Sequence, residues 1–73
     1  LLADEEAAVA AAIEAARAAF RSDDQRTSVD MLLQGYTVKA IADEIGVDER
    51  TVYRWLAQFR QELEGLLPPE ANG

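Results

Sequence analysis

Two arginines offer the clearest chemistry in this 73-residue chain. Arg50 and Arg54 are four residues apart, so on a helix they would extend from one face. A planar guanidinium can donate two parallel hydrogen bonds to a carboxylate, a phosphate or a guanine edge. The alternative is a solvated face on which Arg50 pairs with a neighbouring carboxylate, Asp48 or Glu49. The residue types alone leave both interpretations open.

A second candidate site lies where a helix is expected to begin. Thr37 would cap a helix over residues 38–45, and the free amides of a helix N-terminus, together with a hydroxyl, suit a phosphate oxygen. Lys39 would add positive charge in the first turn. Tyr36 could join this contact or brace the loop as a partly buried ring. We therefore retain Tyr36, Thr37 and Lys39 as candidate phosphate contacts.

The elements that would position these groups are all helical. Apolar spacing and capping residues predict helices over residues 4–20, 24–34, 38–45 and 49–64. Gly35 and Gly46 stand where two of these helices should end, since glycine adopts left-handed backbone angles without steric cost. Asp48 should cap the last helix. Gly65 and the two prolines after it should end that helix, leaving residues 66–73 as a disordered tail or linker.

The apolar faces of the helices define the expected core. In the second, third and fourth helices these faces contain Val29, Met31, Leu32 and Leu33; Val38, Ile41, Ala42 and Ile45; and Val52, Trp55, Leu56, Phe59 and Leu63. We expect Trp55 in the core rather than as a stacking platform, because it shares the apolar face. Asp43 and Glu44 should face solvent.

Residues 1–22 are alanine-rich and favour a helix, with acidic residues first and arginines last, as the helix dipole prefers. The larger apolar residues form one narrow stripe of Leu2, Val9, Ile13 and Phe20. That stripe either packs across the other helices, making this an accessory helix, or pairs with a second copy of the chain.

The stretch from Gly35 to Leu63 resembles the helix-turn-helix of DNA-binding proteins. Ala42 is the small residue where two helices cross, Gly46 makes the turn, and apolar residues surround both. The segments GYT, IA, IGV and TVYRWL are most similar to the homeodomain-like, three-helix variety found in resolvases, transposases and phage terminase small subunits. The resemblance extends over about residues 26–60.

The resemblance implies an all-α fold in which a three-helix, homeodomain-like unit over residues 23–65 follows the extra N-terminal helix. It also implies that the N-terminal half of the last helix enters the major groove of double-stranded DNA. Arg50 and Arg54 would then read bases, and Glu49 could accept a hydrogen bond from a cytosine amine.

The resemblance also makes Thr51 and Tyr53 candidate phosphate contacts through their hydroxyls. For Thr51 the alternative is a role in the first helical turn. For Tyr53 it is a position covering the edge of the core beside Trp55. Asp48 departs from the serine or threonine often found in the family, since a carboxylate caps the helix but donates nothing to a phosphate.

The charge balance opposes a simple nucleic-acid footprint, because the chain carries a net charge of -7. The acidic residues concentrate at the two ends, however. Between Arg17 and Arg60 the basic and acidic residues are equal in number. Distant carboxylates are largely screened at physiological salt, so they should weaken nonspecific affinity more than base readout.

Several classes of function are not expected. The chain has no cysteine and no histidine, which removes disulfides and the usual zinc and haem ligands. Asp23 and Asp24 suit a helix cap better than a metal site. Without a histidine, a cysteine nucleophile, a glycine-rich phosphate loop or a core large enough for a substrate pocket, we expect no enzyme activity, cofactor or small-molecule ligand.

The sequence shows no apolar run of about 18 residues and no signal peptide, so we expect no membrane segment and a cytoplasmic, nucleoid-associated protein. Because it begins at Leu1 rather than methionine, we expect an excised domain or processed product.

The main expectation is therefore sequence-specific binding of double-stranded DNA, by a regulator, a recombinase arm or a DNA-packaging subunit. A homodimer, formed through the first helix or through a missing C-terminal region, would place two reading helices about 34 Å apart, and a higher oligomer through the first helix is also open. The alternative is a helical protein-interaction module that retains the helix-turn-helix shape. Salt separates the two, because DNA binding weakens steeply with salt and apolar assembly persists.

Overall fold

The structure, a computed structural model, describes the backbone of residues 2–67 and the side chains of residues 5–67. Within this part the chain forms four α-helices joined by short turns. They are α1 (Leu2–Ala18), α2 (Asp23–Leu33), α3 (Val38–Ile45) and α4 (Glu49–Leu66). The expected all-α fold with an extra helix before the three-helix unit is confirmed. None of these four helices is long and apolar enough to cross a membrane.

Side chains cap the starts of the last three helices. Ser22 accepts from the backbone N–H of Asp24, and Thr37 accepts from that of Ala40 at 3.1 Å. Asp48 accepts from the backbone N–H of Arg50, also at 3.1 Å. These bonds satisfy amides that have no partner within their own helix. The predicted caps at Thr37 and Asp48 are confirmed.

Two glycines turn the chain after α2 and α3. Gly35 has φ 95° and Gly46 has φ 83°, both in the left-handed region. The next amide in each case reaches back five residues, Tyr36 to Met31 and Val47 to Ala42, at 3.0 Å. This pattern satisfies the last helical carbonyls. Both glycine turns are as predicted.

The first of two buried clusters, which we call the turn cluster, consists of Ile41 and Ala42 of α3 and Val52 of α4. Packed against it are Met31, Val38, Ile45, Val47 and Leu56. Ala42 is 3% exposed, and its methyl group lets the two helices approach closely where they meet. The turn cluster therefore fixes the orientation of the start of α4 relative to α3.

The second, which we call the α1 cluster, consists of Ala16, Phe20, Val29 and Phe59, with Ile13 and Leu63 packed against it. The rings of Phe20 and Phe59 stack with their centroids 6.3 Å apart. This cluster joins α1 and α2 to the C-terminal half of α4.

An ion pair reinforces the attachment of α1 to α2. The Arg17 guanidinium donates to both carboxylate oxygens of Asp30, from Nε at 2.7 Å and from Nη2 at 2.8 Å. These hydrogen bonds hold the pKa of Asp30 below its usual value and raise the pKa of Arg17. Each side chain is about 40% exposed, so the pair is partly screened by water.

The predicted end of α1 was wrong. The helix stops at Ala18, and Phe20 lies beyond it, with its amide donating to the carbonyl of Arg17 at 3.1 Å in a tighter turn. The Phe20 carbonyl accepts from Arg26 at 2.6 Å. Leaving the helix lets the Phe20 ring pack inside the α1 cluster, and no glycine or proline marks that position.

The predicted end of α4 at Gly65 was also wrong, because the helix continues through Gly65 to Leu66. Leu67 is extended, with φ -80° and ψ 144°. The following residue is proline, which disfavours helical angles in the residue before it. The tail was expected to begin at residue 66, which instead belongs to α4, and residues 68–73 lie outside the described residues.

Three predictions about the core need correction. Leu32 and Leu33 are exposed, since α2 turns Ser28 and Val29 inward and ends one turn later. On α1 the buried residues are Ala12 and Ala16 rather than Val9, because small side chains permit close helix contact. The side chain of Leu2 lies outside the described residues.

Trp55 is half-buried and belongs to neither cluster within residues 5–67. It stands on α4 between Val52, which packs in the turn cluster, and Phe59, which packs in the α1 cluster. Its expected place in the core is met only in part.

Candidate nucleic-acid interface

The N-terminal half of α4 presents an exposed polar face. Val52 is fully buried and Thr51 is half-buried, which anchors the helix and turns the neighbouring residues outward. The exposed residues of this half are Glu49, Arg50, Tyr53, Arg54 and Ala57, and the exposed Gln58 and Gln61 continue the face into the second half of the helix. Tyr53 is 60% exposed, so most of its side chain is accessible to solvent. The structure therefore brings all five candidates on α4 to one end of one helix.

The guanidinium groups of Arg50 and Arg54 make no ion pair within residues 5–67. Arg50 contacts Asp48 only through its backbone N–H, which serves the helix cap. The ion pairs of this part of the chain are Arg17–Asp30, Arg26–Asp23 and Arg60–Glu64. The solvated face with local carboxylate pairs is thus not formed, and both arginine forks are available to a ligand.

The start of α3 offers a second set of donors. Thr37 uses its oxygen to accept from Ala40, which leaves its hydroxyl proton free to donate. Lys39 in the first turn is exposed and makes no ion pair with the described residues. Tyr36 is 49% exposed, so part of its ring is accessible beside Thr37. These features suit a phosphate oxygen.

Packing joins the two sets of candidates into one unit. The turn cluster holds α3 against α4, and only the short turn from Gly46 to Asp48 separates the two helices. No hydrogen bond or ion pair among the described residues links the Tyr36–Lys39 group to the α4 group. The two sets are therefore separate contact groups on a common frame.

The electrostatics of this frame are mixed rather than strongly basic. Asp48 and Glu49 lie in the first turn of α4, where the helix dipole favours negative charge. Asp43 and Glu44 are exposed on α3, as predicted. A ligand with closely spaced negative charges would therefore contact a few separate cations, Lys39, Arg50 and Arg54, and not a continuous basic surface.

Sequence reasoning did not single out Arg21. This residue is exposed in the turn between α1 and α2 and has no ion pair among residues 5–67. Lys39, Arg50 and Arg54 are the other basic residues of that part without an ion pair. The only sequence signal was its position between two helices.

Within the same part, no group of three acidic side chains could hold a metal ion.

Comparison with protein families agrees with this architecture. A family model described as a homeodomain-like domain matches residues 9–67, which is most of the chain. Neither the curated proteins nor the solved structures gave a match. The matched segment contains α2, α3, α4 and most of α1. The chain belongs to the homeodomain-like helix-turn-helix domains, a membership that supports DNA binding in general.

Proposed function

We propose that this domain binds double-stranded DNA sequence-specifically, with the N-terminal half of α4 as the reading helix. The observation that carries the proposal is the pair of exposed arginines, Arg50 and Arg54, whose guanidinium groups are not paired with any described carboxylate. Such a protein would act as a regulator or as the DNA-recognition part of a larger protein.

Base reading follows from the rigidity of the helix start. The Asp48 cap and the fully buried Val52 hold the first turns of α4 in place. The major groove is wide enough for a helix, and each arginine could make two hydrogen bonds to a guanine. A good arginine–guanine pair contributes about 1–3 kcal/mol of discrimination. Glu49 would favour a cytosine amine at the adjacent position.

Phosphate contacts would fix the position of α4 in the groove. Thr37, Lys39 and Tyr36 would contact one stretch of backbone from the start of α3. Thr51 and Tyr53 would contact another from α4 through their hydroxyls. Such contacts set register and orientation without reading sequence. Binding to DNA should therefore weaken as the salt concentration rises, whereas an apolar assembly would persist.

The chain would divide by role into three parts. Residues 23–66 would form the DNA-binding unit, residues 1–22 would contribute an accessory helix, and the residues after α4 would form a linker or tail. Support for the accessory role comes from Ala16 and Phe20, which pack against Val29 and Phe59 and so brace α2 and α4.

The proposal can be tested by fluorescence anisotropy with a pool of randomised DNA duplexes at low and moderate salt. The native chain is compared with Arg50→Ala/Arg54→Ala. The matched control is Arg21→Ala/Arg60→Ala, which removes the same charge from exposed positions outside the reading face.

We expect the native chain to select a subset of sequences. The first variant should lose that selection, with affinity for the selected site falling at least about tenfold per arginine. The control should retain the selection and lose affinity uniformly. If both variants lost affinity and selection equally, the effect would be due to net charge and not to the reading face. If the native chain did not bind DNA at low salt, DNA recognition would be rejected.

A further inference from the structure

The first half of α1 has an open apolar side. Residues 5–11 are all exposed, and a shallow groove on this helix is lined by Glu5, Glu6, Val9, Ala10 and Ile13. Val9 is 42% exposed, although it is one of the larger apolar residues of the helix. Val9 lies three residues before the buried Ala12, on the same side of α1, yet residues 5–11 are all exposed, so no described helix covers the groove.

Next to the groove, four side chains of α1 form a row, which we call the ridge, and their order indicates what could pack against it. Glu6, Ala10, Ile13 and Arg17 follow one another at spacings of four, three and four residues, which places them on one face of α1. The order along the ridge is acid, small, large and base. When a second ridge runs alongside in the opposite direction, its basic residue lies opposite the acidic residue of the first, and its large residue lies opposite the small one. It is therefore complementary to a reversed copy of itself.

We propose that α1 pairs with α1 of a second copy of this chain in antiparallel orientation, across a two-fold axis between Ala10 and Ile13. In this arrangement Ala10 of each copy packs against Ile13 of the other. Glu6 of each copy faces Arg17 of the other. The two-fold axis makes both halves of the contact identical, as a symmetric dimer requires.

The side chains suit both contacts, the one between Ala10 and Ile13 and the one between Glu6 and Arg17. Alanine permits close helix approach, and the half-buried Ile13 already continues into the α1 cluster. Arg17 uses Nε and Nη2 for Asp30, so the N–H groups of Nη1 remain for a second carboxylate. Glu6 has no ion pair among the described residues.

The charges on the ridge also favour the antiparallel orientation and a second copy of this chain as the partner. A parallel pair would place Glu6 against Glu6 and Arg17 against Arg17, and like charges at close range repel. The antiparallel pair replaces both repulsions with attractions. A partner of different sequence would need this same reversed pattern, which a second copy carries by construction.

The expected dimer is weak. The ridge from Glu6 to Arg17 spans about 16 Å at about 1.5 Å per residue. A contact of this length buries less than the roughly 1,200 Å² of a standard stable interface. The net charge of -7 on each copy adds repulsion. We therefore expect a dissociation constant on the order of 100 µM. The pairing stands independently of the proposed DNA binding.

Sedimentation equilibrium over a concentration series, without DNA, tests the proposal. Ala10→Glu places a carboxylate in the ridge, whereas the matched control Ala11→Glu makes the same change at the next exposed position, on another side of α1. Far-UV circular dichroism checks that both variants keep their helices. We expect Ala10→Glu to raise the dissociation constant at least about tenfold and Ala11→Glu to leave it nearly unchanged.

Orientation can be tested by disulfide formation, because the chain has no cysteine of its own. Chains carrying Ala10→Cys are mixed with chains carrying Ile13→Cys, oxidised and weighed by mass spectrometry. Antiparallel pairing predicts that the mixed disulfide exceeds its statistical share. Excess of the two same-residue disulfides would overturn the orientation. A native chain that stays monomeric to about 1 mM, or equal loss in both glutamate variants, would overturn the pairing.

Discussion

The turn cluster and the α1 cluster stabilise opposite ends of α4 in different ways. The turn cluster draws its residues from a short stretch of chain, from Met31 to Leu56, and a left-handed glycine brings α3 and α4 together. The α1 cluster joins residues as far apart as Ile13 and Leu63, and stacked rings and an ion pair hold it. The first is governed by local backbone geometry and the second by long-range packing.

This difference separates two tasks within one small domain. The turn cluster aims the arginine-bearing start of α4, so its geometry bears on the proposed DNA recognition. The α1 cluster holds the other end of α4 and fixes α1, the helix that carries the ridge of Glu6, Ala10, Ile13 and Arg17. Variants that affect one cluster and not the other therefore test whether the two tasks are separable.

The largest expected effect is in the α1 cluster. Phe59→Ala should lower the free energy of unfolding by about 3–5 kcal/mol, because it leaves a cavity beside Phe20 and frees α1 from α4. Urea denaturation followed by circular dichroism measures this. Tyr53→Ala removes an aromatic ring from the same helix at an exposed position, and its effect should stay within about 0.5 kcal/mol. Similar losses in the two variants would mean that the α1 cluster contributes no packing energy of its own.

Two glycine variants should shift stability in opposite directions. Gly46→Ala should destabilise the turn by about 1–2 kcal/mol, since alanine is strained at φ 83° although its methyl group would meet no atom. Gly65→Ala lies within α4, also in open space, and should stabilise the domain by about 0.5–1 kcal/mol. Thermal and urea denaturation of both variants provide the comparison. Destabilisation by Gly65→Ala would indicate that α4 does not remain helical at this position.

The smallest effect concerns the Arg17–Asp30 ion pair. Because the folded state lowers the pKa of Asp30, the pair's contribution is complete above the unfolded-state value of about 3.9. It is lost as the pH falls through the lower folded-state pKa. The stability difference between the native chain and Asp30→Asn should therefore be small at pH 7 and shrink on acidification.

Urea denaturation from pH 7 down to about pH 2.5 follows this change through the carboxyl range. Asp43→Asn, at an exposed carboxylate without an ion pair, is the matched control and should show no comparable trend. A difference for Asp30→Asn that stays constant across this range would contradict the role given to the ion pair.

Much of the fold and of the candidate site was predictable from sequence because it depends on short-range rules. Thr37 and Asp48 cap helices through bonds that span two or three residues. Gly46 ends α3 because few other residues adopt its backbone angles. The exposure of Arg50 and Arg54 follows from helical spacing once Val52 is placed inside. For these features the relevant partner lies within a few residues along the chain.

The remaining features depend on partners that are distant in sequence. Phe20 leaves α1 early because its ring meets Phe59, and nothing near it in the chain signals this. That Arg21 has no ion pair among the described residues could not be predicted from composition either, since pairing depends on which carboxylates the fold brings close.

By itself, the sequence determined the helices, their caps, the glycine turn and the polar face of α4, because each arises from propensities and hydrogen bonds over a few residues. Only the tertiary structure decided that α1 buries Ala12 and Ala16 and leaves Val9 exposed. Helical periodicity identifies an apolar stripe, but how far along the helix that stripe is covered depends on where the opposing helices lie. Val9 lies three residues before Ala12 on the same side of α1, yet residues 5–11 are all exposed. The other described helices therefore cover only the second half of α1, where the small Ala12 and Ala16 allow close contact.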